Sequence, residues 1–456
     1  MSAEPTPPPQ DAGAATPKDS RRALISSFLG STVEYYDFLL YGAAAGLVFP
    51  DLFFPKTMEP WLGTTLSFVI LLAGYISRPI GGILFGHFGD RFGRKNILVI
   101  TLVMMGAVSI CIGLMPTYET IGVAAPVILV CLRIIQGLAV GGEWAGATLM
   151  AAEHVAHRRR GFAASVATTG GPTGSVLATL VLGLFAGLPD EAFLSWGWRI
   201  PFLLSAVLVV VGLYLRYSVT ESPDFTAARA AENVHTGVPI LRVVRRYPLS
   251  SLYGVLAVAG PLFMQALLAV WVVPHVASNG AVSRQDALYL LTFSSFLHIF
   301  AIPFFAWLSD RYGRRPVMLA GAAIGLALIF PMFALFNSNN PWLIALGFIV
   351  GNPIIQASMY GPIGAFLAEK FATRDRYTGV SLTFQLGSVL GAGTAPLMAN
   401  WLFGLGTGDS TTPIAWYFIA LTLVSALAVY LSKETAQGRG LGTPGSAPLP
   451  ARVTGS

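Results

Sequence analysis

Charge is what this 456-residue chain has least of: Asp, Glu, Lys and Arg make up 11% of it, against about 25% in ordinary soluble domains. With 54% of residues hydrophobic and a mean hydropathy of +0.66, a water-soluble globule is excluded and a membrane protein is implied. Cysteine is nearly absent. Cys111 and Cys131 both fall inside apolar runs, so no disulfide framework or thiolate metal centre can be built from them, and they read as free thiols. No nucleophile–base pair, phosphate-binding glycine loop or metal-ligand spacing occurs, so neither an enzyme nor a cofactor or metal site is expected. The formal net charge is +6, but the bases form short clusters between apolar runs, which argues against nucleic acid as a partner. Residues 1–22 are rich in Pro and Ala and lack the apolar core of a signal peptide. They and residues 436–456 read as disordered cytoplasmic tails.

What the chain does have is apolar length. A bilayer core of about 30 Å takes about 20 helical residues, and twelve stretches qualify: 24–49, 61–86, 96–115, 122–149, 162–187, 200–217, 249–277, 287–308, 316–336, 341–367, 379–403 and 413–431. Lipid offers the backbone no hydrogen bonds, so these stretches are expected to be helices. The alternation of a barrel strand is missing. If the N-terminus is inside, the cytoplasmic segments collect nearly all the bases, and the outer loops keep only Lys56, Arg199 and Arg284. Both termini are therefore expected in the cytoplasm.

Repetition then organises the chain. Asp90-Arg91-Phe92-Gly93-Arg94-Lys95 returns as Asp310-Arg311-Tyr312-Gly313-Arg314-Arg315, about 220 residues later. At a similar offset, Glu153 with Arg158 and Arg160 is echoed by Glu369 with Arg374 and Arg376, and Glu221 by Glu434. The longest polar connection, 218–248, divides the spans six and six. The expected plan is an all-α integral membrane protein with two pseudo-symmetric six-helix bundles, residues 23–217 and 249–435, joined by a cytoplasmic linker at 218–248.

These paired loops resemble the major facilitator superfamily. Within it, Glu34-Tyr35-Tyr36-Asp37-Phe38, Arg78-Pro79-Ile80-Gly81-Gly82, Arg133-Ile134-Ile135-Gln136-Gly137, Gly141-Gly142-Glu143, Trp196-Gly197-Trp198-Arg199-Ile200-Pro201-Phe202 and Glu221-Ser222-Pro223-Asp224-Phe225 resemble the metabolite:proton symporter family. Shikimate, α-ketoglutarate, dicarboxylate and proline/betaine carriers belong to it. The resemblance covers residues 24 to 435. It implies a transporter of the inner membrane, driven by the proton gradient without a cofactor, acting as a monomer on a small polar metabolite such as an organic acid or betaine. A drug:proton antiporter of the same fold is one rival, permitted by the partial motif at Gly170-Gly171-Pro172-Thr173-Gly174. A non-transporting membrane sensor is the other.

Ionisable residues inside a bilayer cost about 2.5–3.5 kcal/mol on insertion scales and usually face a cavity or a partner. Here they are Glu34, Asp37, Arg78, Arg133 and Glu143, all in the first half. At 1.5 Å per residue, Glu34, Asp37 and Arg133 share a depth of about 15–20 Å. An acid whose distance to Arg133 changes between conformations would have a conformation-dependent proton affinity, so this trio is the candidate for proton coupling. Which acid carries the proton stays open. Arg133 could instead bind a substrate carboxylate through its fork, with Gln136 and Tyr35 beside it. Arg78 reads as a gate or structural residue, and Glu143 as a partner of Arg91 or Arg94. From the second half, Gln265, His298, Asn352, Gln356, Tyr360 and Gln385 are polar positions in apolar spans, and Asn352, Gln356 and Tyr360 form a stripe along one helix. The loop charges Asp90, Arg91, Arg94, Glu143, Glu153 and Glu221, with Asp310, Arg311, Arg314, Glu369 and Glu434, are expected to form a cytoplasmic gate.

Overall fold

The computed structural model describes residues 17–92, 94–141, 160–217, 239–372, 375–405 and 410–434. Among them there is helix and no strand. The spans are α1 (Pro17–Leu47), α2 (Pro60–Phe92), α3 (Arg94–Leu114), α4 (Ala124–Val140), α5 (Arg160–Thr168 and Gly170–Ala186) and α6 (Asp190–Tyr214) in the first half. The second half has α7 (Pro248–Ser278), α8 (Arg284–Tyr312), α9 (Arg314–Phe336), α10 (Pro341–Ala368), α11 (Arg376–Ser388 continuing through Ala395–Leu405) and α12 (Thr412–Leu431). Among the described residues, eight helices are long and apolar enough to cross a membrane by length and composition, and α3 and α4 contain shorter apolar helices. In α1 the buried acids Glu34 and Asp37 dilute the apolar sequence. The helices fall into two six-helix bundles.

Two details differ from the composition reading. α1 starts at Pro17, inside the stretch read as tail, and proline suits a first helical position. The linker ends in a short helix, Pro239–Arg246, that leads into α7.

Glycine sets how closely the helices approach. A Cβ on Gly137 of α4 would lie 2.0 Å from the Gly74 carbonyl oxygen of α2, and one on Gly81 of α2 would lie 2.0 Å from the Leu138 carbonyl oxygen. In α5, a Cβ on Gly174 would meet the Thr32 carbonyl oxygen of α1 at 2.6 Å. The glycine clusters are thus contact surfaces that bring backbones together where lipid supplies no hydrophobic drive. Three helices of the second half are locally unwound into π turns: α7 at Leu267–Val272, α10 at Val350–Gln356 and α11 at Val389–Gly393. Such turns often mark functional sites.

The bundles meet through α1 against α7, α2 against α11, and α5 against α8. At the end that carries the termini, the Gln385 side-chain amide donates to the Gly141 carbonyl at 3.1 Å and Ser381 to the same oxygen at 3.3 Å. At the far end, Asn400 donates to Thr65 at 2.8 Å and Arg284 pairs with Asp190. The halves are therefore joined at both ends. Gly137→Ala is expected to cost about 1–3 kcal/mol through overpacking, lowering the melting temperature in detergent. Gly404→Ala, with nothing within 4 Å of its Cβ, leaves it unchanged; equal melting of the two variants contradicts the packing account.

Candidate substrate and proton site

The site is built outward from α1, where Tyr35, Asp37, Phe38 and Tyr41 follow one another within two turns. Asp37 is 1% exposed. Its Oδ1 accepts a hydrogen bond from the Ser205 hydroxyl of α6, and the Ser109 hydroxyl of α3 stands close to the same carboxylate. Glu34, one turn back, is buried as well. Arg133 of α4 has no exposed surface. Its guanidinium lies 3.8 Å over the Tyr41 ring and 4.4 Å from the Phe38 ring centroid. Nη1 donates to Gln136 Oε1, and the Gln136 amide donates onward to Ser109 of α3 at 3.2 Å.

In this conformation neither Glu34 nor Asp37 is ion-paired with Arg133. Among the described residues, Arg133 is in no ion pair, because aromatic faces and Gln136 occupy its guanidinium. Its Nε and Nη2 have no hydrogen-bond partner. Asp37 is near enough for their charges to interact without contact. Arg133 and Gln136 also stand behind the aromatic residues of α1 and do not line the central cavity.

That cavity lies between the halves. Tyr35, Phe38, Tyr75 and Arg78 line it from the first half, Gln265 and Phe384 from the second. It is nearly closed, about 20 Å³, room for about one water molecule. Arg78, which depth counting assigns to a gate, is a wall of this cavity. It is 5% exposed, and its guanidinium lies 3.8 Å from the Phe38 centroid and 4.5 Å from that of Tyr75. Among the described residues it has no acid within ion-pair distance, and its Nε has no hydrogen-bond partner. A span count places a residue along the membrane normal but not around the helix, which is why the sequence reading missed this role.

Of the second-half candidates, Gln265 lines the cavity. The Tyr360 hydroxyl is 3.4 Å from that of Tyr35 and joins the halves at the cavity's edge. Asn352 donates to Ser294 of α8 at 3.0 Å. His298 and Gln356 are both buried, and their side chains are close enough to interact. Gln385 belongs to the closure at the terminus-bearing end, through Gly141.

At that same end the second-half loop charges form a network. Arg314 reaches Asp310 at 2.6 Å and Glu369 at 3.1 Å. Glu434 accepts the backbone N–H groups of Arg314 and Arg315 at 3.0 and 2.9 Å. Asp310 also accepts the Phe162 N–H at 3.0 Å, which places a carboxylate on the positive N-terminal turn of α5 and crosses between the halves. Arg311 is exposed beside Tyr312. The side chains of Asp90, Arg91, Arg94, Glu143, Glu153 and Glu221 lie outside the described residues. The far-end pair Arg284–Asp190 is a closure the sequence reading missed; its only signal was that bases are rare at that end.

The "Sugar (and other) transporter" family model matches residues 23–237, and "Major Facilitator Superfamily" matches residues 261–453. The shikimate transporter of Escherichia coli is 36% identical over 428 residues, covering 93% of this chain and 97% of that one. The chain belongs to the metabolite:proton symporter family of the major facilitator superfamily. Other relatives in this family include the proline/betaine transporter of Escherichia coli, 33% identical across 91% of this chain and 84% of that protein. Among solved structures, a partially occluded inward-open form of the xylose transporter XylE from Escherichia coli superposes with a TM-score of 0.70 at 20% identity, covering 93% of this chain and all of the other. That likeness shows the shared fold. Like its relatives, this family member is a transporter and not an enzyme.

The Asp310–Phe162 contact generates a test. Asp310→Asn removes the charge at the α5 N-terminus, so a cysteine at Ser381 is expected to react several-fold faster with a water-soluble maleimide than in the Asp310 background, with Cys111 and Cys131 replaced by Ser in both. An unchanged rate would mean that this contact does not hold the end shut.

Proposed function

We propose that the chain cotransports protons with a small organic acid across the inner membrane, with both termini in the cytoplasm. The observation that carries this reading is Arg78. A buried cation on the central cavity with aromatic contacts and, among the described residues, no acid partner is one anion short, and a substrate carboxylate would supply it through the guanidinium fork. Burial of an unpaired charge is costly, so such a ligand gains from completing a pair that the protein leaves open. Tyr35, Gln265 and Tyr360 are placed to accept or donate hydrogen bonds to the rest of a polar molecule that widens the cavity.

Asp37 is the proton carrier in this reading. Ser205 and Ser109 both stand against its carboxylate, and a hydroxyl can turn from donating to accepting, so a proton taken up there keeps its hydrogen bonds. Phe38 touches both guanidinium groups and lies one residue from Asp37, so a substrate that draws Arg78 off that ring changes the surroundings of Asp37 as well. Binding and protonation are thereby coupled through one short stretch of α1. Alternating access then requires the two closures to open in turn: Gln385–Gly141 with Asp310–Phe162 at the inner end, and Asn400–Thr65 with Arg284–Asp190 at the outer end. The position of Arg78 favours this over a drug antiporter or a sensor, because a buried cation on the wall of the central cavity calls for an anionic ligand.

Proteoliposomes carrying the purified protein, with organic acids and betaines as trial substrates, test the reading. Asp37→Asn is expected to abolish uphill uptake driven by a pH gradient while counterflow exchange of labelled substrate persists; an amide variant that still concentrates substrate removes Asp37 from coupling. Arg78→Gln is expected to weaken carboxylate binding by about ten- to a hundredfold, in keeping with a hydrogen bond to a charged group. Unchanged affinity would remove Arg78 from the substrate site.

A further inference from the structure

The linker helix Pro239–Arg246 has two unlike faces. Inward, Val243 is fully buried and Arg242 reaches Asp375, at the start of α11, at 3.7 Å. The following Tyr247 packs edge-on against Phe371 at 5.6 Å between centroids. The helix is therefore docked on the second bundle and not a loose tether. Outward, Leu241 and Val244 are 51% and 46% exposed, and Leu249 and Leu252, in the first turns of α7, are 61% and 50% exposed. Leu241 and Val244, three residues apart, share one face of the linker helix; after the bend at Tyr247, Leu249 and Leu252 carry exposed apolar surface onto the start of a membrane span. Beside it stand Arg245 and Arg246, both exposed. Among the described residues, Arg245 has no ion pair or hydrogen bond, and Arg246 only a distant ring contact, 5.7 Å from Tyr247.

We propose that this face is a binding site for anionic phospholipid, in which Leu241 and Val244 lie at the acyl boundary and Arg245 and Arg246 hold the headgroup phosphate. Apolar residues flanked by arginines suit a helix lying in the membrane interface. Charge supplies the selection: each basic side chain near an anionic surface favours it by about fivefold, and the guanidinium fork matches a phosphate. Continuity with the exposed side of α7 identifies lipid as the occupant, since that surface is already in the bilayer. Because α11 lines the cavity through Phe384 and Ser388, and Arg242 joins the linker helix to its first turn, a lipid held here would steady the moving half.

The experiment uses the full chain in nanodiscs of equimolar phosphatidylcholine and phosphatidylglycerol, with the lipids retained after release counted by native mass spectrometry. The wild-type chain is expected to retain phosphatidylglycerol preferentially, and Arg245→Gln with Arg246→Gln to reduce that preference by about fivefold per arginine. Arg245→Lys with Arg246→Lys, which keeps the charge, should retain most of it. A single Arg245→Gln change, with one arginine left, gives the same reading if the double variant does not fold. An unchanged lipid preference in the glutamine variants would overturn the proposal, with the patch then covered by protein; loss of preference in the lysine variant equal to that in the glutamine variant would overturn the role of charge.

Discussion

Two buried arginines that have no ion-pair partner among the described residues, both held against Phe38 of α1, are the constraint on which the rest depends. Phe38 lies 3.8 Å from the Arg78 guanidinium and 4.4 Å from that of Arg133. A cation–π contact is worth about 2 kcal/mol or more when desolvated, less than the cost of taking a charge out of water. The difference must be met by charges close by, and α1 provides Glu34 and Asp37. The centre of the molecule is thus an electrostatic compromise: cations stacked on rings, acids within reach but not in contact with Arg133, and a cavity too small for substrate. Such an arrangement responds to any added anion or proton, as a coupled carrier must.

Everything around this centre serves to hold it while letting it open. The glycine contacts between α2 and α4, and between α1 and α5, bring the first bundle into a close-packed unit that can carry buried charge without shifting. The second bundle carries π turns in α7, α10 and α11. Two of those helices contribute to the cavity, through Val270 in the α7 turn and Phe384 and Ala392 in α11. The closures at the two ends are made from few polar contacts, Gln385 and Asp310 at one end and Asn400 and Arg284 at the other. Interactions of that size are strong enough to bias a conformation and weak enough to exchange.

Much of the fold was legible in the sequence, because membrane spans depend on length and hydropathy, which a linear reading measures directly. The paired Asp90 and Asp310 loops revealed the duplication, and the restriction of charged span residues to the first half pointed to α1 and α4. What was not legible is rotation about the helix axis. Arg78 and Arg133 are both buried span arginines in the sequence, yet one lines the cavity and the other stands behind Phe38 and Tyr41. The same limit separates Gln265, on the cavity, from Gln385, which turns to the Gly141 carbonyl. The outer closure escaped because Asp190 and Arg284, the first residues of α6 and α8, carry no repeat and no motif, and only tertiary structure brings them together.

The central claim is that Arg78 is a cation waiting for a substrate anion, and a structure of the chain with a transported organic acid bound tests it most directly. The account predicts a carboxylate oxygen about 2.8 Å from the Arg78 guanidinium, with Arg78 drawn away from the Phe38 ring. A carboxylate bound elsewhere, with Arg78 still stacked on Phe38 and Tyr75, would contradict it.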